Sequence, residues 1–286
     1  MFASFEYLQW QELYQRQKPY EVFFPLSTLG VDADKIPRSN LIFETKSMPI
    51  KDVRGRMHEY SLDDQGFAFS THSLSGNANL KDRAYVESSY IPLMGDFVKE
   101  FIEEPSARTF CFDIRVRQSI DPEIFNKRTI NLEDGFEPLL PATHPHVDQS
   151  PEGARRRVLR HMGDDAESLL ERRVRIFNIW RPLKKVEAWP LAICDTRSVD
   201  TTDLVPTDIV RRRYIGETCF GKYNPKQEWY YLSDQDVNEI AILKIYDSKV
   251  EVNAKFCLHS SFQFSELTRP KLRESIELRF LVFTDT

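Results

Sequence analysis

The sequence predicts a mainly β fold, a sandwich or a barrel, with flanking helices. Seven segments rich in β-branched and aromatic residues follow one another from residue 108 onward, with polar connectors between them. Long helical patterns do not alternate with these segments, as they would in a doubly wound parallel sheet. The 286 residues, of which 41% are hydrophobic, are enough to form one large core.

The first hundred residues combine short strands, turns and one helix. The segment KDVRGRMHEYSLDDQGFAFSTHSLS (51–75) predicts two strands joined around Asp63-Asp64-Gln65-Gly66. The following segment, LKDRAYVESSYIPLMGDFVKEFIEE (80–104), predicts an amphipathic helix. Its apolar residues recur at helical spacing and include Tyr90, Leu93, Phe97 and Phe101.

The remaining chain predicts the β-rich core. Its strand-like segments are RTFCFDIRVRQ, RVRIFNIWRPL, PLAICDT, EWYYLSD, EIAILKIYD, AKFCLHSSF and SIELRFLVF. A helical insert is predicted at about 150–172, because Ser150 suits an N-cap, Pro151 the first helical position and Glu152 the first turn, while Gly163 separates two short helices. We predict a single domain, 1–286, in which a mixed α/β part (1–107) packs on the core (108–286).

Composition limits the classes of partner. A net charge of -5 argues against nucleic acid, because phosphate binding needs an excess of basic residues. The apolar runs are shorter than the roughly 20 residues that span a bilayer, and Glu6 and Glu12 interrupt the N-terminal segment where a signal peptide is apolar. The four cysteines are widely spaced along the chain, which is typical of free thiols in a reducing compartment rather than of a disulfide framework. We expect a soluble cytoplasmic protein with a small-molecule partner, either a monomer or a homodimer.

The stretch THPHVDQSPEGARRR (143–157) raises the question of a metal. Residues two apart on a strand project from one face, so His146 and Asp148 can point together into a cavity. Alone this pattern is weak, because roughly one His-x-Asp/Glu is expected by chance in a chain of this composition. Further residues are needed to decide.

Those residues lie downstream. His259 is in a second strand-like segment, and Arg273 and Ser275 open the final one, again two apart. Two histidines and one carboxylate on one face of iron(II) leave positions open for a co-substrate and dioxygen. An arginine fork deeper in the pocket suits the far carboxylate of 2-oxoglutarate, with a hydrogen bond from Ser275.

This ordered series resembles the Fe(II)/2-oxoglutarate-dependent oxygenases, whose fold is a double-stranded β-helix, a jelly-roll and cupin-like core. More narrowly, it resembles the fungal group of gibberellin-desaturase-like hydroxylases and desaturases, from about residue 51 to 283. The segments that carry the resemblance are RGRMHEYSLDDQGF, HVDQSP, NIWRPL, PLAICDTRSV, EWYYLSDQ, the strand at 239–247, LHSSF and RESIELRFLVF.

The resemblance implies His146, Asp148 and His259 as iron ligands, and Arg273 with Ser275 as the clamp on 2-oxoglutarate. It implies Fe(II), 2-oxoglutarate and O2 as metal and co-substrates, and hydroxylation or desaturation of a small-molecule intermediate of secondary-metabolite biosynthesis. The chain departs from the pattern at Gln149, where relatives often have an aromatic, and at Ile114, near which they often have a histidine. These departures concern the shape of the pocket.

Alternatives remain open. A cupin-like isomerase, dehydratase or hydrolase that does not use 2-oxoglutarate would bind metal through His144, His146, Glu152 and His259. A non-catalytic barrel is a third reading. Arg279, six residues after Arg273 and on the same face, competes as the clamp.

Other candidates come from polar-aromatic strand segments and from an arginine run. Asn178 and Arg181 are candidates for contacting the co-substrate. Trp180, Trp229, Tyr231 and Arg155 are candidates for contacting the substrate, although such strand residues are more often part of a core and arginine runs such as 155–157 and 211–213 more often form a solvated face.

Overall fold

Two β-sheets face each other in the computed structural model of the chain, which describes residues 1–24, 26, 35–76, 78–126, 131, 133–263 and 272–285. The larger sheet has nine strands in the order β1-β3-β11-β8-β13-β6-β10-β9-β2, and the smaller has five in the order β4-β12-β7-β14-β5. The strands are β1 (Phe2–Leu8), β2 (Tyr20–Val22), β3 (Phe43–Asp52), β4 (Phe67–Thr71), β5 (Arg108–Gln118), β6 (His146–Val147), β7 (Arg173–Pro182), β8 (Leu191–Cys194), β9 (Leu204–Arg211), β10 (Tyr214–Gly221), β11 (Trp229–Tyr231), β12 (Glu239–Asp247), β13 (His259–Ser261) and β14 (Glu274–Thr284).

The helices are short and lie outside the two sheets. They are α1 (Arg83–Tyr85), α2 (Ile91–Phe101), α3 (Pro122–Asn126), α4 (Pro151–His161) and α5 (Ala166–Leu170), with a π-helical turn (Val86–Tyr90) joining α1 to α2 and 3-10 turns at Glu12–Gln15, Met57–Glu59, Gly163–Asp165, Thr196–Ser198 and Thr201–Asp203. Within the described ranges, no helix is both long and apolar enough to cross a membrane.

The main core fills the space between the sheets. Val147 and Ile193 of the larger sheet share one buried cluster with Trp180, Leu243 and Leu281 of the smaller. Each such side chain contributes about 1.5–3 kcal/mol by leaving water. The predicted mainly β fold with a jelly-roll core is confirmed.

A second core covers the outer face of the smaller sheet. Tyr90, Met94 and Val98 from the π-helical turn and α2 pack there against Phe177 of β7 and Leu278 of β14. Both strands are therefore buried on both faces, and their odd and even residues face different cores. This alternation decides which polar side chains of β7 and β14 point between the sheets.

The helix that the sequence predicts at 80–104 is present, but Leu93 is not on its buried face. Leu93 is 42% exposed, whereas Tyr90, Met94 and Val98 are buried. The buried residues Tyr90, Met94 and Val98 follow one another at a spacing of four, so the buried stripe of the helix runs beside Leu93 rather than through it.

The two strands that the sequence predicts at 51–75 are not partners of each other. β3 ends at Asp52 and pairs with β1 and β11, whereas β4 pairs with β12 in the other sheet. The intervening residues form a 3-10 turn at Met57–Glu59 and a bend at Gly66, which has a φ of 88°. The connection therefore passes from one sheet to the other.

The predicted helical insert begins as expected. The Ser150 hydroxyl accepts a hydrogen bond from the Gly153 amide at 2.9 Å, and Pro151 occupies the first turn of α4. Because α4 begins directly after the polar segment at 146–149, the cap fixes the direction in which the chain leaves the space between the sheets.

Candidate metal centre and active site

Three side chains that could bind a metal meet between the sheets. β6 and β13 are antiparallel neighbours with His146 directly opposite His259, and Asp148 follows β6 by one residue. The Nε2 atoms of His146 and His259 lie 3.6 and 3.8 Å from oxygens of the Asp148 carboxylate. One ligand atom from each residue lies within 4.8 Å of the others, so that a single ion can contact all three.

Backbone carbonyls fix the tautomer of both histidines. Nδ1 of His146 lies 2.8 Å from the carbonyl oxygen of His144, and Nδ1 of His259 lies 3.1 Å from that of Cys257. Because a carbonyl oxygen can only accept, each Nδ1 carries the proton and each Nε2 keeps its lone pair. The two rings thus offer the form of imidazole that binds a metal.

Buried polar groups hold the Asp148 carboxylate in its ionised form. Arg279 Nη2 lies 2.8 Å from one oxygen, and Asn178 donates to the other. Burial alone would raise the pKa of Asp148, but Arg279 and the two histidines outweigh it and hold that pKa well below its usual range. Burial and the neighbouring His146 lower the pKa of His259 to about 3, so this ring is neutral.

A narrow chamber with an unpaired arginine adjoins these three residues. Its volume of about 20 Å³ is slightly more than the roughly 10–15 Å³ that one water molecule needs. The lining residues include Trp180, His146, His259 and Arg273. Arg273 is 1% exposed and donates from Nη1 to the Trp189 carbonyl and the Ser261 hydroxyl, each at 2.8 Å.

The remaining nitrogens of Arg273 are unsatisfied. Among the described residues, its Nε and Nη2 have no hydrogen-bond partner. Burial, followed by the neighbouring Arg117, lowers the pKa of Arg273 to about 9. A buried donor without a hydrogen-bond partner destabilises the folded protein. A carboxylate that accepts from both Nε and Nη2 of Arg273 would remove this destabilisation. The chamber therefore fits the far end of a dicarboxylic co-substrate.

Arg279, the competing arginine, already has acidic partners. It forms ion pairs with Asp148, with Glu277 at 2.8 Å and with Asp113 at 3.3 Å. Ser275 lies on the same face of β14 and is 1% exposed, but it is not among the residues that line the chamber. Arg273 is thus the better-placed anion binder of the two.

A larger cavity adjoins the narrow chamber. Its volume is about 270 Å³, and His146, Asp148 and Arg279 lie in its wall. The narrow chamber and this cavity share His146 and Arg279, together with Arg117 and Ala142. A metal ion held by the three side chains would therefore border both a small polar chamber and a space for a larger molecule.

Comparison with known proteins identifies the family. Residues 5–283 match a family described as an oxidoreductase/YMDC permease-like domain. The hydroxylase/desaturase efuI of Hormonema carpetanum is 33% identical over 84% of each chain, and the Fe(II)/2-oxoglutarate-dependent dioxygenase nvfI of Aspergillus novofumigatus is 31% identical over 86% of each. The chain belongs to the Fe(II)/2-oxoglutarate-dependent dioxygenases.

A solved structure supports this membership. The iron and alpha-ketoglutarate-dependent endoperoxidase NvfI matches with a TM-score of 0.81 and 27% identity, over 100% of this chain and 98% of that one. As a dioxygenase of this family, the protein is an oxidoreductase that uses iron(II), 2-oxoglutarate and O2, and the enzyme class predicted from the sequence is confirmed.

The ligand set of the cupin-like alternative is not brought together in this dioxygenase. The His144 ring stacks on Phe43 with centroids 3.7 Å apart, and Glu152 pairs with Arg156 at 3.0 Å on the exposed side of α4. Among the described residues, the one group of three that could hold a metal is the set His146, Asp148 and His259.

The other candidates divide between the site and the core. Asn178 contacts Asp148, and Trp180 lies in the chamber, with its ring 5.6 Å from the Arg273 guanidinium. Arg181 faces the second core instead. Its guanidinium contacts the Tyr90 hydroxyl at 2.8 Å, the carbonyls of His72 and Val237 and the His72 ring.

The three remaining candidates do not reach either space. Trp229 is fully buried, stacks on Phe5 at 4.4 Å and donates to the Tyr7 hydroxyl. Tyr231 packs edge-on against Phe262 in the same core. Arg155 is exposed on α4. The substrate contacts predicted for these three are therefore corrected, because Trp229 and Tyr231 are core residues and Arg155 points away from the cavity.

Several arginines in the cavity wall were not anticipated. Arg115 and Arg117 of β5, Arg157 of α4 and Arg211 of β9 all line it. In β5 a signal was available, because Asp113, Arg115 and Arg117 alternate with apolar residues and must share one face. For Arg157 and Arg211 the sequence showed arginine runs, and neighbouring residues of those runs are indeed exposed.

Proposed function

We propose that the protein hydroxylates or desaturates a small-molecule intermediate of secondary-metabolite biosynthesis, with His146, Asp148 and His259 as the iron ligands and Arg273 as the residue that binds 2-oxoglutarate. Iron(II) bound by these ligands would activate dioxygen, with 2-oxoglutarate as the source of two electrons. The co-substrate leaves as succinate and carbon dioxide, while the substrate gains a hydroxyl group or loses two hydrogens.

One observation carries the assignment of Arg273. It is a deeply buried cation with two unpartnered nitrogens, in a chamber that also contains His146 and His259. A guanidinium binds a carboxylate through two parallel hydrogen bonds, which a lysine does not reproduce. The Trp180 ring, whose centroid lies 5.6 Å from the guanidinium carbon, adds a cation–π contact.

The remaining residues orient the ligands and the substrate. The carbonyls of His144 and Cys257 set the direction of both imidazoles, and Arg279 and Asn178 set that of the carboxylate. The substrate occupies the larger cavity, which Arg273 does not line. Separate spaces keep the co-substrate and the substrate from competing, and the apolar core limits access of water.

Two further points belong to the proposal. We treat residues 1–286 as one domain, because the helix at 83–101 packs on the same sheet whose other face forms the site. We also infer a cytoplasmic location, since all four cysteines are free thiols, three of them buried.

The test is succinate formation from 2-oxoglutarate by protein loaded with iron(II) without oxygen and then exposed to air. We expect wild-type turnover that requires both iron and oxygen, background turnover in Asp148→Ala, and at least a ten-fold higher requirement for 2-oxoglutarate in Arg273→Ala. The matched control is Arg155→Ala, an exposed arginine that we expect to behave as wild type. No succinate from folded, iron-loaded wild type would refute the function, and an unchanged co-substrate requirement in Arg273→Ala would refute the clamp.

A further inference from the structure

We propose that the substrate carries an anionic group, a carboxylate in the simplest case, and that Arg157 binds it in the larger cavity. This inference rests on the proposed function, because it treats that cavity as the place of the substrate. It goes further by naming the chemical class of the molecule and a residue that selects it.

Arg157 is held rigidly in the cavity wall. Its guanidinium lies between two aromatic rings, 5.1 Å from the centroid of Phe112 and 4.7 Å from that of Tyr214. Nε donates to the side-chain carbonyl of Gln149 at 3.3 Å, and Gln149 directly follows Asp148 in the chain. These contacts fix the plane of the guanidinium close to the segment that supplies the metal ligands, while two terminal nitrogens remain available for an anion.

Arginines outnumber carboxyl groups in the wall of the cavity, although Arg279 and Arg115 also pair with Asp113, which does not line it. Five arginines line it, Arg115, Arg117, Arg157, Arg211 and Arg279, against three carboxyl groups, Glu21, Asp148 and Glu217. Two of the three carboxyl groups already have partners: Asp148 pairs with Arg279, and Glu217 accepts hydrogen bonds from Lys18 and Ser150. Burial raises the pKa of Glu21, which favours its neutral form.

Arg157 itself is not neutralised by the protein. In the part of the chain that the structure describes, no carboxylate lies within ion-pair distance of Arg157. Burial lowers its pKa, and the nearby Arg279 and Arg115 lower it further, against the influence of Tyr214 and Asp113. A negatively charged ligand would stabilise the positively charged form of Arg157 and so raise its pKa again.

The cavity leaves Arg157 accessible to a ligand. Arg157 is only partly buried, and its Nη2 lies beside Gly216, which also lines the cavity; a Cβ placed on that glycine would lie 4.0 Å from this nitrogen, at ordinary van der Waals distance. Arg157 does not line the narrow chamber that contains Arg273. The two arginines therefore serve two anionic groups, one in each of the two spaces that His146 lines.

The test compares an acid with its neutral amide. Protein loaded with nickel(II) and N-oxalylglycine, which fills the co-substrate chamber without reacting, is titrated with 3-phenylpropanoate and with 3-phenylpropanamide. We expect wild type to bind the acid at least ten-fold more tightly than the amide. Arg157→Gln removes this preference, and Arg157→Lys retains part of it because the charge is kept.

Arg160→Gln is the matched control. Arg160 stacks on the same Tyr214 ring at 4.6 Å, but it is exposed and does not line the cavity, so its loss leaves the preference unchanged. Equal binding of acid and amide to wild type, including no binding of either, would overturn the proposal. A preference that survives in Arg157→Gln, or one that Arg160→Gln removes equally, would overturn it too.

The experiments distinguish a failure of the proposed function from a failure of the proposal for Arg157. Binding of N-oxalylglycine to nickel-loaded protein is measured first, and its absence counts against the co-substrate chamber and therefore against the proposed function. The acid and the amide are then compared on metal-free protein, where the same criteria decide the role of Arg157.

Discussion

One terminal nitrogen of Arg279 lies 2.8 Å from the carboxylate of Asp148. Arg273 lies six residues earlier, directly before the strand that contains Arg279, yet two of its nitrogens have no partner among the described residues. These two buried arginines thus differ in their partners. We infer different roles, with Arg279 orienting a metal ligand and Arg273 binding an anion.

Arg279→Lys separates these roles. Lysine keeps a positive charge beside Asp148, Glu277 and Asp113, so the acidic groups are not left without a cation, but the planar fork is lost. We expect iron(II) to bind about 10- to 100-fold more weakly, as for other groups that orient metal ligands. Competition with a chelator measures this affinity. A normal iron affinity combined with a raised requirement for 2-oxoglutarate would instead assign the clamp to Arg279.

Asn178→Leu tests the second partner of Asp148. The change removes the donor to the carboxylate and also a buried Asn178 oxygen that has no hydrogen-bond partner in the described residues. We expect the unfolding temperature of the metal-free protein to change little, because removal of the unsatisfied oxygen offsets the loss of one donor to Asp148. Iron affinity should fall nonetheless. A parallel loss of stability and affinity would indicate a purely structural role.

Arg181→Met tests the assignment of Arg181 to the second core. Its guanidinium satisfies the Tyr90 hydroxyl and two backbone carbonyls, which the variant leaves without donors. We expect a loss of about 3 kcal/mol in the free energy of unfolding, measured with urea. The affinity of the folded protein for 2-oxoglutarate should not change, and the exposed Arg155→Met should change neither quantity. Weaker co-substrate binding with unchanged stability would contradict this.

His161 makes the protein sensitive to acid. Burial, followed by Arg157 and Arg160, lowers its pKa in the folded protein to about 4. In the unfolded chain a histidine titrates near pH 6.5, so between about pH 6.5 and 4 the unfolded state binds a proton that the folded state does not. Stability therefore falls as the pH decreases through this window, by at most about 3 kcal/mol and by less to the extent that solvent screens the half-buried ring.

His161→Gln should remove that part of the pH dependence. Denaturation by urea between pH 7 and 4 measures it, and the matched control is His58→Gln, since His58 is exposed at the surface. If the variant and wild type lose stability equally over this window, the loss arises from other groups.

The sequence predicted the fold because its strands and caps follow local rules. Ser150 caps α4, and the alternation of residues in β5, β7 and β14 gives their boundaries closely. The same alternation predicts that His146 and Asp148 lie on one face of their strand. The partner of β4 could not be predicted, because the bend at Gly66 that carries the chain between sheets is a tertiary feature.

The errors in the site have a common cause. Trp180 and Arg181 are consecutive on β7 and must face opposite cores, yet the sequence does not say which core contains the site. Similarly, the helical spacing of α4 separates Arg155 from Arg157, but the direction of the helix decides which one reaches the cavity. Trp229 shows the same limit, since a buried tryptophan and a ligand-binding one have the same local pattern.

The carbonyls of His144 and Cys257 have a consequence for how the enzyme acquires its metal. These groups and Arg279 hold the three ligands through contacts that the protein itself provides. A set of two imidazoles and one carboxylate follows the general affinity order of divalent metals, in which iron(II) is bound more weakly than nickel, copper or zinc. Correct metallation is therefore a matter of cellular supply, and preparations from zinc-rich cultures will fold normally while remaining inactive until the zinc is exchanged.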